Sequence, residues 1–204
     1  MCMRFTPLNH AEAQAVADAF NNRAPIHLKD SFPDLKDDVY PGRSAPLFVL
    51  KEDEKLAVQP AKWGFTLGDT RKLYFNTRLD TALQQYSTGE GMWSHAIKKG
   101  RCLVPARAFY ERHQRDVYLD EKTGKPKQRL YRITYPGIKA FLMAGIIQDG
   151  LFSVVTTEPT EFMATIHNRM PLVLGPGESS IWLGPDFGTL GNREHIELSA
   201  KPEL

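Results

Sequence analysis

No stretch of this chain approaches the roughly 20 consecutive apolar residues that a bilayer-spanning helix needs, and mean hydropathy is −0.38. The opening MCMRFTPLNH lacks the apolar core of a secretory signal. Cysteine is scarce: Cys2 and Cys102 are the only two. Two thiols make no disulfide framework and fit a reducing, intracellular, cytoplasmic setting (nucleoid-associated if the source is bacterial). Charge of one sign is also lacking. With 26 Lys and Arg against 24 Asp and Glu, the net charge is +2, too little to attract nucleic acid by bulk electrostatics, although a local basic groove remains compatible with it. The glycine-rich phosphate loops, the His-Glu-x-x-His zinc motif and the Gly-x-Ser-x-Gly nucleophile elbow are all absent. Six scattered histidines and two cysteines without ligand spacing give no metal site. No cofactor, no metal and no membrane partner are expected, and the chain is read as a monomer.

What is present fits one domain over residues 1–204, large enough to bury a continuous core, with about 193–204 as a loose polar tail. Leu8–Asn22 is predicted helical, with Asn9 and Glu12 spaced as a capping box and Ala13, Val16, Ala19 and Phe20 on one face. Ala24–Ser44 reads as loop, broken by Pro25, Pro33, Pro41 and Gly42. Short strands are expected at Leu47–Leu50, Leu56–Phe65, Leu73–Asn76, Arg101–Val104, Ala108–Glu111, Leu130–Tyr135, Phe141–Ile147, Leu151–Thr157 and Pro171–Leu174. Helical patterns fall at Leu79–Tyr86, Met92–Lys98, Thr160–Ile166 and Glu178–Leu183. The stretch His113–Gln128 reads as an exposed hairpin whose mixed charges suit a solvated turn. Many short strands without βαβ alternation argue for an α+β fold: a largely antiparallel, barrel-like sheet with peripheral short helices.

Four blocks carry groups suited to chemistry. Cys2 would become an N-terminal cysteine if Met1 were removed, placing a thiol beside a free α-amine; their ordinary pKa values are about 8.5 and about 7.7–8.0. An aldehyde condenses with such an amine, and the thiol then closes a five-membered thiazolidine. An internal cysteine, its nitrogen an amide, cannot do this. Asn76-Thr77-Arg78 lies at a strand–helix junction, where Asn76 reads equally as a helix cap or a ligand contact. Glu111 closes the aromatic Phe109-Tyr110 pair, either exposed at a strand end or desolvated and able to exchange protons near neutrality. Ile166-His167-Asn168-Arg169-Met170-Pro171 offers an imidazole for acid–base work and a guanidinium for an anion. Cys102, in an apolar strand pattern, reads as a small core residue.

Taken together, the blocks resemble the SOS response-associated peptidase (SRAP) family. The matching residues are Cys2-Met3-Arg4-Phe5, Pro41-Gly42, Trp63-Gly64-Phe65, Asn76-Thr77-Arg78, Arg101-Cys102-Leu103-Val104-Pro105, Phe109-Tyr110-Glu111, Ala144-Gly145-Ile146, Thr156-Thr157-Glu158 and Ile166–Pro171. The resemblance implies a DNA-damage role: binding single-stranded DNA and attaching covalently to abasic sites through a thiazolidine. It assigns the nucleophile to Cys2, the active-site amide to Asn76, the carboxylate to Glu111 and the histidine to His167. It assigns DNA contacts to Arg4, Arg78, Arg169 and Thr156. Peptide-bond cleavage is also implied, and the Cys2 thiol is a candidate for releasing Met1 autocatalytically; an aminopeptidase is the other route.

The chain departs from the family pattern at Met3, where Gly is usual, at Thr77 and Asp80, and at Arg112, where an aromatic is frequent. Two other functions stay open on these residues: a thiol-dependent peptidase acting on peptides, and a non-catalytic module that binds single-stranded nucleic acid.

Overall fold

Asn9 opens the first helix as its spacing to Glu12 predicts. The Asn9 side chain accepts from the Glu12 N–H, and the Glu12 carboxylate accepts from the Asn9 N–H, so two orphan donors of the first turn are satisfied reciprocally. The helix itself, α1, runs His10–Asn21 and buries Ala13 and Ala17. The computed structural model describes residues 2–28, 38–68 and 70–203; part of the predicted loop Ala24–Ser44 lies outside them.

Before α1 comes β1 (Arg4–Pro7). After it come β2 (Ser44–Leu50), β3 (Leu56–Trp63), β4 (Asn76–Arg78), α2 (Leu79–Thr88), α3 (Ser94–Lys99), β5 (Arg101–Leu119) and β6 (Pro126–Thr134). The chain then forms β7 (Phe141–Gln148), β8 (Leu151–Thr157), α4 (Glu161–Ala164), β9 (Met170–Pro171), β10 (Val173–Leu174), α5 (Glu178–Leu183) and β11 (Ser199–Pro202).

The fold is α+β, one large mixed sheet with short helices, and not a clean barrel. Pairing runs around a ring, β5–β7–β8–β3–β2 and back to β5, which is the barrel-like element the sequence suggested. The ring is imperfect because its β2–β5 seam is a single pair, Phe48↔Leu103, and its β3–β8 seam only two. Most pairings are antiparallel, but β3 and β4 both pair with β8 in parallel.

Two clusters cover the two sides of this sheet. Inside the ring lie Cys2, Phe5, Trp63, Cys102, Val104, Phe109, Phe152 and Met170. Outside it, Leu103, Ala144, Ile146 and Val155 pack under the helical residues Ala17, Leu79, Ala96 and Trp182. Cys102 is a buried small core residue, as expected. Across from it the strands approach so closely that a Cβ on Gly145 would lie 2.8 Å from Val104 Cγ2 and 3.0 Å from Cys102 Sγ.

Trp63 is the inner keystone. Its ring meets Phe5 edge-on at 5.0 Å, Phe75 at 5.8 Å and Phe152 at 6.1 Å, and its Nε1–H donates to the Phe75 carbonyl at 2.7 Å. Gly64, next in sequence, holds φ +119°, with Leu73 side-chain atoms 3.2 Å from where a Cβ would sit, so only glycine fits there. Trp63→Ala is expected to destabilise the fold by about 3–5 kcal/mol, read as a lowered urea midpoint.

Several expectations need correction. The strands expected at Arg101–Val104 and Ala108–Glu111 are one 19-residue strand that runs on into the hairpin. Leu73–Asn76 is no strand: Tyr74 makes an isolated bridge to Phe65, and β4 begins at Asn76. Pro171–Leu174 is divided at Leu172 between β9 and β10. The tail expected to be loose is tied down. Ile196 and Leu198 are buried, β11 pairs with β6, and Arg193 donates to Glu178 at 2.6 Å and to the Val173 carbonyl. Among the described residues no helix is long and apolar enough to cross a membrane.

Candidate active site

Cys2 enters the fold at the head of β1, whose register against β5 pairs Arg4 with Tyr110 and Phe5 with Phe109. The cysteine is fully buried. Its thiol donates to the Arg4 carbonyl at 3.4 Å, and its own carbonyl accepts from Asn76 Nδ2 at 2.9 Å. Asn76 is therefore not a helix cap; α2 starts after Arg78 without a side-chain cap. The Asn76 Oδ1 is also buried, with no hydrogen-bond partner among the described residues. A buried acceptor left unpaired costs about 1–3 kcal/mol, so it is poised for a donor that arrives. Met1 lies outside the described residues.

Glu111 is only 2% exposed. Successive residues of a strand face opposite ways, so Glu111 shares the inward face with Phe109 rather than fraying at a strand end. Burial pushes its carboxyl up to about 7, where it can both give and take a proton at physiological pH. The Cys2 thiol is pushed up as well, first by burial and then by the neighbouring Glu111 charge. It stays a thiol rather than a thiolate at neutrality.

His167 arrives from the opposite side of the sequence. Its N–H donates to the Met163 carbonyl at 2.8 Å, and the Gln114 N–H donates to the neighbouring Ile166 carbonyl at 2.9 Å. That second bond ties the histidine loop to β5 just past Glu111. His167 Nδ1 lies 3.1 Å from both the N–H and the carbonyl of Arg169, so the same backbone can serve a neutral or a charged imidazole. Burial lowers its pKa.

A cleft of about 560 Å³ opens over Glu111 and His167, walled also by Met3, Arg4, Tyr40, Tyr110 and Arg112, among others, with Cys2 buried beside it. Met3, 56% exposed, faces the cleft and leaves the Cys2 contacts in place. Arg4 is held by a clamp the sequence did not advertise. It donates to Asp38 at 2.5 Å, lies 4.0 Å over the Tyr110 ring and reaches 5.9 Å from Tyr40. Thr6 also donates to Asp38, at 2.6 Å. Asp38 sits in a segment that read only as loop; Tyr110 sits in a quoted block, but no pattern pointed its ring at Arg4.

The other expected DNA contacts divide. Arg78 is exposed and paired with Asp80 at 2.6 Å. Thr156 is fully buried, its hydroxyl donating to the Thr77 carbonyl at 3.4 Å. Arg169 is 9% exposed, with Nη1 on Glu158 at 2.5 Å and Nη2 on the Thr156 carbonyl at 2.9 Å. Both are also tied into the protein's own network: Arg169 donates to the Thr156 carbonyl, Thr156 to the Thr77 carbonyl, and the Thr77 hydroxyl to Ser153 at 2.8 Å. Strand β4, which carries Asn76, is thereby fixed on β8. Among the described residues no three His, Cys, Asp or Glu side chains gather as a metal site.

The family model described as SOS response associated peptidase (SRAP) matches residues 1–202. The chain belongs to the SRAP family. Relatives of this SRAP chain include the Bacillus subtilis abasic site processing protein YoqW, 24% identical over 194 residues that cover 91% of the chain and 81% of YoqW. The abasic site processing protein YoaM of the same organism is 26% identical over 148 residues. That alignment covers 68% of this chain and spans 62% of YoaM. A crystal structure of a Bordetella bronchiseptica protein shares the SRAP fold described above, with TM-score 0.69 over 100% of both chains at 19% identity.

Proposed function

We propose that this protein processes abasic sites in single-stranded DNA by linking Cys2, once Met1 is removed, to the lesion as a thiazolidine, which shields it. The observation that carries the reading is the Asn76 amide on the Cys2 carbonyl at 2.9 Å, with the buried Glu111 carboxyl close enough to act on the Cys2 thiol and His167 on the wall of the same cleft as Glu111. The names of the relatives, abasic site processing proteins, agree with it. The setting is intracellular, with no cofactor needed.

In this reading the ring-closed sugar is opened first. His167 gives a proton to the ring oxygen as the C1′–O4′ bond breaks, and the C1′ hydroxyl loses its proton to leave the aldehyde. Glu111 takes a proton from the Cys2 ammonium, and the amine adds to the aldehyde. Loss of one water gives the imine. The Cys2 sulfur then bonds to the imine carbon while the thiol proton passes to nitrogen, so the ring closes without a free thiolate. Holding aldehyde and cysteine together supplies proximity, which is worth several orders of magnitude for such a condensation. Asn76 Oδ1 is available to a sugar hydroxyl or the freed α-amine. Arg4 and Arg78 face the phosphates, and the Thr156–Arg169 brace holds Asn76 in register.

A thiol peptidase needs the opposite electrostatics, since such a nucleophile is activated by a lowered thiol pKa and burial raises that of Cys2. Autocatalytic release of Met1 would have to draw the thiol proton to Glu111. A non-catalytic binding module would leave the pH-poised Glu111 without a task.

The test is a denaturing gel. Abasic single-stranded DNA should give a heat-stable shifted band and intact DNA of the same sequence none. Salt-sensitive, reversible retention of both DNAs without a covalent band would instead support the binding module.

A further inference from the structure

Beyond Arg112 the β5–β6 hairpin leaves the body of the protein as an arm about 20–25 Å long, given its seven residues from His113 to Leu119 at about 3.3 Å each. Its departure is built in. Between Arg112 and Val117 the register slips, and His113 Nδ1 accepts from the N–H groups of Arg115 and Asp116 at 3.1 and 3.0 Å, fixing a bulge that re-aims the strand.

The mixed charges of this hairpin do not balance. Residues 112–132 hold seven basic side chains and three acidic ones. Against a whole-chain charge of +2, the arm carries +4 and the remainder −2. Two of the three acids are already satisfied within the arm: Asp120 by Lys127 at 2.5 Å and Thr123 at 2.7 Å, and Asp116 by Arg129 at 3.0 Å and Tyr131 at 2.9 Å. Arg115, Lys122 and Lys125 are exposed, with no carboxylate in ion-pair range among the described residues.

One face of the arm also exposes apolar side chains. Val117 and Leu119 are 52% and 71% exposed. The register sets Val117 opposite Gln128 and Arg112 opposite Leu130, so strand alternation puts these residues on a common face. Arg112, Gln128 and Leu130 are walls of the cleft over Glu111. The cleft and the exposed strip are one continuous surface.

We infer that the arm is a second contact for the same nucleic acid, receiving the single-stranded stretch that flanks the lesion. Its cations meet phosphates, and Val117 and Leu119 meet the faces of bases. This rests on the cleft holding DNA. An isolated positive arm on an otherwise slightly negative body, continuous with that cleft, complements a polyanion threading past it.

The test compares abasic oligonucleotides of about 5 and about 15 nucleotides on the full-length protein. Wild type is expected to react about tenfold more efficiently at limiting concentration with the longer one, with a steeper salt dependence. Arg115→Ala/Lys122→Ala/Lys125→Ala should remove that advantage and flatten the salt slope by about 2, while reacting normally with the short DNA. Val117→Ser/Leu119→Ser should weaken the long DNA alone, with the slope unchanged. Equal use of both lengths by wild type, a triple variant that keeps the advantage, or one that loses both lengths equally would overturn the arm's role. Failure of wild type to link to either length would instead sink the cleft reading.

Discussion

Glu111→Gln is expected to slow covalent attachment to abasic DNA by about 10²–10⁴-fold, the range that a positioned general base supplies. Gln keeps the shape of the buried side chain but can neither take the ammonium proton nor return it. The pH profile separates this role from a structural one. Because burial holds the Glu111 carboxyl near 7, the wild-type rate should climb through about pH 7 as the carboxylate forms. In the Gln variant only the α-amine limb near about pH 8 should remain. Stability should move the other way. Unfolded, this carboxyl ionises near 4.5; folded, near 7. Between those values the native state keeps a proton that the unfolded chain has lost, so stability falls as pH rises from about 4.5 and the full cost stands above about 7. The cost is of order 3 kcal/mol, and Glu111→Gln should recover part of it at pH 8 in a urea melt. A variant that is slower but equally pH-dependent would place the ascending limb elsewhere.

Cys2→Ala is expected to abolish the heat-stable band altogether. After Met1 removal the variant still offers an α-amine, so an imine can form and borohydride should trap it; without sulfur the imine stays hydrolysable. Cys2→Ser should behave similarly, since a hydroxyl closes the ring far less readily than a thiol. The side chain is small, and both Ala and Ser fit the buried space it occupies, so neither change should unfold the protein. A persistent, untrapped band in Cys2→Ala would move the nucleophile to another residue.

Much of this site was legible before the fold was known, and the reasons are chemical. An N-terminal Cys, a carboxylate ending an aromatic run and an imidazole between two apolar segments each announce themselves by type. The capping box of α1 was readable because both partners are local. The rest depended on contacts distant in sequence. Alternation along β5 permits Glu111 to face inward, but the covering of that face by β1 and the His167 loop is set by packing. The family resemblance assigns Thr156 and Arg169 to DNA, but that they also brace β4 on β8 follows from the β8–β4 pairing, which no local pattern announces. Asp38 gave no signal at all, lying 34 residues from the Arg4 it clamps. The continuity of β5 through Pro105 was hidden by proline, which usually interrupts a strand.

The central claim is that the lesion is carried on the sulfur and the nitrogen of the same residue. Mass spectrometry of the linked protein, after nuclease and trypsin digestion, tests it directly. The account predicts a Cys2–Met3–Arg4 peptide that lacks Met1 and carries the sugar remnant with the loss of one water, with no free thiol to alkylate. A linked peptide that retains Met1, or an adduct on a lysine, would contradict it.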